Sequence, residues 1–94
     1  MKRYQIRPGV VMAGVCGEYM LVATRRARAF CPYVKQLNST GAFYWSLLEK
    51  GKDMDDMIRA ALDTYGVAEE RIRPGVAAFL AALCAEGYLL EEGC

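Results

Sequence analysis

The sequence predicts an α+β domain in which a three-stranded antiparallel sheet precedes three helices, a winged-helix-like order. Two observations carry this. The hydrophobic pattern changes character near residue 38, from short runs of strand formers to apolar stripes at helical spacing. The change falls on Asn38, Ser39 and Thr40, a cluster of helix N-capping residues. The 94 residues suit one core, so residues 1–94 form a single domain. A chain of this size buries roughly 60–65% of its unfolded surface, enough to fold alone by a thin margin.

The first strand is the valine-rich run Val10 to Val15, opened by Pro8 and Gly9. Gly17 and Glu18 form a turn, and Tyr19 to Thr24 is the second strand, so the two make a hairpin. Arg25 to Arg28 is a loop. Pro32 cannot donate to a ladder and suits the start of a short third strand, Tyr33 to Leu37, at an edge of the sheet. The strands occupy about 9–37 and the helices about 39–87.

The first helix runs to about Lys50, with Gly41, Tyr44, Trp45 and Leu48 on one face and Gly51 past its end. Asp53 caps the second. Asp55 and Asp56 occupy its first turn, where the helix dipole favours negative charge. Met54, Met57, Ile58, Ala61, Leu62 and Tyr65 make its apolar stripe, and Gly66 ends it. The third helix spans about Glu70 to Glu86, with Pro74 tolerated in its first turn and Gly87 as the stop. Tyr88, Leu89 and Leu90 form an apolar tail that folds back on the core.

The third helix is unusual. Ile72, Val76, Phe79, Leu80 and Leu83 make its main stripe, yet Ala77, Ala78, Ala81, Ala82 and Ala85 leave the opposite face without a polar side chain. Alanine is the best helix former and is tolerated on a surface. The other reading is that a second backbone, from a peptide or another subunit, covers this face. An edge strand beside it would make a groove, with backbone hydrogen-bonding groups on one wall and small side chains on the other.

Composition narrows the chemistry. There is no histidine, which excludes Ser-His-Asp and Cys-His catalysis and histidine metal sites. Cys16, Cys31, Cys84 and Cys94 form no CxxC pair and read as free thiols in a cytoplasmic protein. No signal peptide is apparent. The longest apolar run, Gly75 to Ala85, is too short to cross a bilayer, which takes about 20 residues. No metal, cofactor or membrane partner is implied. The net charge of +1 hides an asymmetry: residues 1–40 hold seven basic side chains against Glu18 alone, and residues 41–94 hold five basic and ten acidic ones. Arg25, Arg26 and Arg28 form the one basic cluster: a solvated loop, an electrostatic contact for an acidic peptide or a partner enzyme, or a nucleic-acid contact.

The stretch Leu37 to Gly51, LNSTGAFYWSLLEKG, carries a resemblance, together with Arg7-Pro8-Gly9-Val10 and the terminal Leu83, Gly87, Tyr88 and Leu89. In that order and spacing it resembles the PqqD-like family, also called RiPP recognition elements. The resemblance implies a non-catalytic module that binds the leader of a ribosomally made precursor peptide. It implies presentation of that peptide to a modifying enzyme, often a radical S-adenosylmethionine enzyme. It further implies that the leader adds as a strand beside the third strand and packs on the third helix. Carried over, the site is Tyr33, Val34, Lys35 and Gln36, with Arg73, Ala77, Ala78 and Ala81 chosen on the helix. Two alternatives stand beside it: a structural subunit that forms a homodimer through the alanine face, and a winged-helix nucleic-acid binder. The second needs Arg, Lys, Asn or Gln on a recognition helix, and the third helix has none after Arg73.

Overall fold

The computed structural model describes residues 3–92; Lys2 and Cys94 lie outside them. Strands β1 (Arg3–Ile6), β2 (Val10–Val15), β3 (Glu18–Ala23) and β4 (Val34–Leu37) come first. Helices α1 (Ser39–Glu49), α2 (Met54–Tyr65) and α3 (Glu69–Glu86) follow, and strand β5 (Leu89–Glu92) ends the order. The predicted sheet is present as β2-β3-β4, antiparallel throughout, with β4 at its edge.

The hairpin turn is one residue earlier than predicted. Cys16 (φ 52°) and Gly17 (φ 79°) are its two central residues, and Glu18 already pairs with Val15. A two-residue turn that matches strand twist needs positive φ at both positions, so Cys16 adopts a conformation more usual for Asn or Gly. The tail also differs from expectation. Leu89–Glu92 is a strand that pairs antiparallel with Arg3–Ile6, an element the sequence reading did not include. In β1, Arg3 and Gln5 are exposed while Tyr4 and Ile6 pack towards the core.

The inner face of the sheet supplies Val10, Leu21, Ala23 and Leu37 to the core. Tyr44, Trp45 and Leu48 meet them from α1, and Met57, Ile58 and Ala61 from α2. Ile72, Val76, Leu80 and Leu83 complete it from α3. The caps act as read: the Asn38 side chain accepts from the Gly41 N–H at 2.7 Å, and Asp53 and Asp56 form a reciprocal capping box. Tyr65 is the exception on the α2 stripe. It is exposed and sits edge-on to Phe43 at 5.7 Å. Pro74 is in the second turn of α3, not the first. The Glu70 carbonyl that its missing N–H would have met lies on an exposed side of the helix, where water can serve it.

The end of α3 fixes how the parts meet. Gly87 takes φ +91°, and a Cβ there would collide with the Phe30 carbonyl oxygen. The Tyr88 N–H donates to Leu83 O at 2.9 Å and the Gly87 N–H to Cys84 O at 3.2 Å, a Schellman-type stop. Buried Tyr88 then donates its hydroxyl to the Pro32 carbonyl at 2.8 Å. Arg7 closes the junction from the other side: its Nε donates to the Gly87 carbonyl, and its backbone N–H to Tyr88 O at 2.9 Å.

Two glycines with positive φ separate backbone strain from this close approach. At Gly66 (φ +66°) nothing stands within 4 Å of an added Cβ, so Gly66→Ala should cost about 1 kcal/mol. Gly87→Ala adds a clash with fixed backbone and should cost at least about 3 kcal/mol. Urea unfolding followed through Trp45, the single tryptophan, measures both; equal losses would mean the Phe30 contact is not tight.

Candidate functional site

A groove of about 430 Å³ runs between the open side of β4 and α3. Its strand wall is Lys35, Gln36 and Leu37. The start of α1 adds Asn38, Thr40, Gly41 and Tyr44 as a floor. The helix wall is Gly75, Ala78, Phe79, Ala82 and Leu83. Small residues at 75, 78 and 82 recur at helical spacing and keep this wall low. At Gly41 an added Cβ would press on the Phe79 ring and the Asn38 Oδ1, each at 3.3 Å, so glycine lets α1 and α3 close at the floor. Tyr44 packs on Phe79 with ring centroids 5.5 Å apart.

The phase of the ladder decides which backbone groups are open. The Ala23 N–H donates to Tyr33 O at 2.8 Å, and Leu21 and Tyr19 oppose Lys35 and Leu37. In an antiparallel ladder the bonded pairs alternate, so Lys35 and Leu37 turn their N–H and C=O to β3. Val34 and Gln36 turn theirs to the open edge. Their side chains project to the outer face of the sheet, where Val34 joins Val22 and Val11 in one cross-strand row. Val11 and Val34 are 49% and 45% exposed, so this face is apolar and uncovered.

The residues expected from sequence fall in different places. Lys35, Gln36 and Ala78 line the groove. Val34 opens β4, one residue later than the sequence predicts, and Tyr33 lies just before it; both are exposed and outside the lining. Ala77 and Ala81 are exposed on α3 but are also outside it. Arg73 donates to Glu69 Oε2 at 2.8 Å and lines a separate cleft against α2, with Asp55, Ile58, Arg59 and Leu62. The α1 floor and the Gly75, Phe79, Ala82 row were not foreseen.

Arg25, Arg26 and Arg28 are exposed in the turns between β3 and β4. Arg28 stacks over the Tyr33 ring at 4.3 Å, and Arg7 over Phe30 at the same distance. Among the described residues, Cys16, Cys31 and Cys84 form no disulfide. Burial pushes the Cys31 thiol up, partly offset by the positive charge of Arg7, so it is a poor nucleophile at neutral pH. Burial also raises Tyr88, and the neighbouring Cys31 and Glu86 add to the shift. Tyr44 is raised by burial and by Tyr65. Among the described residues no group of three metal-ligating side chains could hold an ion, and no helix is long and apolar enough to cross a membrane.

The family model of coenzyme PQQ synthesis protein D matches residues 18–89. The chain is similar to TbiB1, solved in complex with the TbiA(beta) leader peptide. The two are 27% identical with a TM-score of 0.76, and the match covers 90% of this chain and 93% of that one. It also shares its fold with a lasso peptide synthetase B1 complexed with a leader peptide, at 23% identity and a TM-score of 0.77. That match covers 93% of this chain and 96% of that one. No curated protein matches.

The raised groups make stability fall in alkali. Cys31 ordinarily titrates near 9.0 and the tyrosines near 10.0. A raised folded value means the contribution is complete below the unfolded value and is lost as pH climbs through the folded one. Ionised Tyr88 would also lose the proton it donates to Pro32. Tyr88→Phe should cost about 1–3 kcal/mol at neutral pH and lose less stability than the wild type from about pH 8 to about pH 11. Urea titrations at both pH values test this; parallel losses would show that Tyr88 does not drive the alkaline fall.

Proposed function

Because the chain belongs to the PqqD family, we propose that it recognises the leader of a ribosomally made precursor peptide by strand addition at β4. The single observation that carries this reading is the open edge of β4 set against a low helix wall. The leader lies extended between them. Val34 and Gln36 offer it two N–H donors and two C=O acceptors, and main-chain pairing of this kind supplies affinity with little demand on sequence. Alternate side chains of the added strand turn into the groove, over Ala78, Phe79 and Ala82, and the others onto the outer face beside Val34. Tyr33, held under Arg28, extends the strand wall at its start. Arg25, Arg26 and Arg28 steer an acidic leader into place, a contribution that added salt weakens.

The module is non-catalytic and acts in the cytoplasm. It presents the peptide to a modifying enzyme, of which a radical S-adenosylmethionine enzyme is the expected kind. Nucleic acid is a poor fit, since α3 carries no basic side chain after Arg73 and Arg73 is engaged by Glu69. The relative that supports the reading, TbiB1, was solved with a leader peptide in place.

Substitutions on the two walls separate binding from folding. Ala78→Trp and Ala82→Trp place bulk on exposed positions of the helix wall and should weaken leader binding at least about tenfold while leaving stability within about 1 kcal/mol. Val34→Pro removes a donor from the open edge, where proline is tolerated, and should likewise weaken binding in a folded protein. Lys35→Pro removes a donor from the ladder and should cost about 3 kcal/mol of stability. Calorimetric titration with a synthetic leader, taken from a short precursor reading frame beside the gene, measures binding. Unchanged affinity in all three folded variants would place the peptide elsewhere.

A further inference from the structure

Among the described residues, Lys35 is the only charged side chain that lines the groove. Its ammonium lies 2.7 Å from Glu86 Oε2, with the two side chains 29% and 36% exposed. Glu86 is the last residue of α3, where the helix dipole disfavours a carboxylate, and the last turn contains no basic residue to offset it. The charge that meets Glu86 therefore comes across the groove from the strand. An ammonium has three donors, and a single carboxylate oxygen leaves capacity for a second acceptor.

No second charge in the described lining marks one register against another. Gly75, Ala78 and Ala82 offer a smooth wall. A strand that slips by one residue exchanges its faces, but a slip of two presents the same face to the wall again. A charge at one fixed point on the wall breaks that degeneracy. The peptide residue in register with Lys35 turns its side chain into the groove, on the same face as Lys35.

On the reading that the peptide adds at β4, we infer that Lys35 sets its register by pairing with an aspartate or glutamate directly opposite. That carboxylate joins Glu86 on the ammonium or takes its place. Lys35 is thus a specificity-determining residue, and Glu86 is the intramolecular stand-in that holds it when the groove is empty.

Peptides selected from a random display library on the immobilised full chain should share one acidic residue at a fixed place in an alternating apolar pattern. For a selected peptide made synthetically, replacing that acid by its amide should weaken binding roughly three- to tenfold. Lys35→Met should abolish the difference between acid and amide peptides, Lys35→Arg should retain it, and Glu86→Gln should enlarge it by freeing the ammonium. A purely structural pair would make Lys35→Met and Glu86→Gln weaken both peptides alike, which would overturn the assignment. Selected peptides without a recurrent acid would overturn it too, while leaving strand addition intact. If the folded wild type selected no peptide, both strand addition and the role of Lys35 would fall.

Discussion

The groove depends on the junction at Gly87 and Tyr88. There the C-terminus of α3 meets the backbone that leads into β4, and no side chain separates them. Gly87 is the residue that permits it, since a Cβ would occupy the position of the Phe30 carbonyl. Tyr88 then hydrogen-bonds Pro32, two residues before β4 begins. Arg7 ties both to the chain's opening segment. Tyr88 is buried, so breaking this bond would leave its hydroxyl without a partner away from water, which is costly. Strand wall and helix wall are tied together at this one end, and the Lys35–Glu86 pair spans the gap from the residue immediately before Gly87.

A wall made of backbone needs an edge that nothing in the fold covers. Natural sheets usually blunt such edges with charge, proline or brevity. This one is short and carries Lys35, but Lys35 points into the groove with Leu37 and not along the edge. Val34 and Gln36 leave their amides open. The opposing helix face, small and uncharged, lacks the polar groups with which a surface helix normally meets water. Two features that are each unfavourable in isolation become complementary when an extended chain lies between them. The acidic helical half and the basic strand half then give the two walls different electrostatic surroundings.

Much of this was legible in the sequence because it is local. The Asp53 cap, the Gly66 and Gly87 stops and the α1 stripe of Tyr44, Trp45 and Leu48 follow from neighbours in the chain. The alanine face was visible as well. What was not legible depends on long-range geometry. Strand β1 has an alternating pattern, but its four residues are stabilised by Leu89–Glu92 from the other end of the chain. The hairpin turn moved because Cys16, not Glu18, accepts positive φ. The helix wall turned on the azimuth of α3 against β4, which composition cannot fix: a rotation of about 100°, one residue, separates Ala77 and Ala81 from Ala78 and Ala82. Phe79 read as core because it lies on the apolar stripe, yet it stands at the border between core and groove.

On the proposed reading the bound peptide becomes a fourth strand of the β2-β3-β4 sheet. Amide hydrogen exchange, resolved by residue with and without leader peptide, tests it most directly. In the free protein Lys35 and Leu37 are bonded to β3 and should exchange slowly, while Val34 and Gln36 exchange fast. On binding, Val34 and Gln36 should become protected and the alternation along β4 should vanish. Protection that appears on α2 or in the 25–30 turns, with Val34 and Gln36 still exchanging as in the free protein, would rule out strand addition at β4.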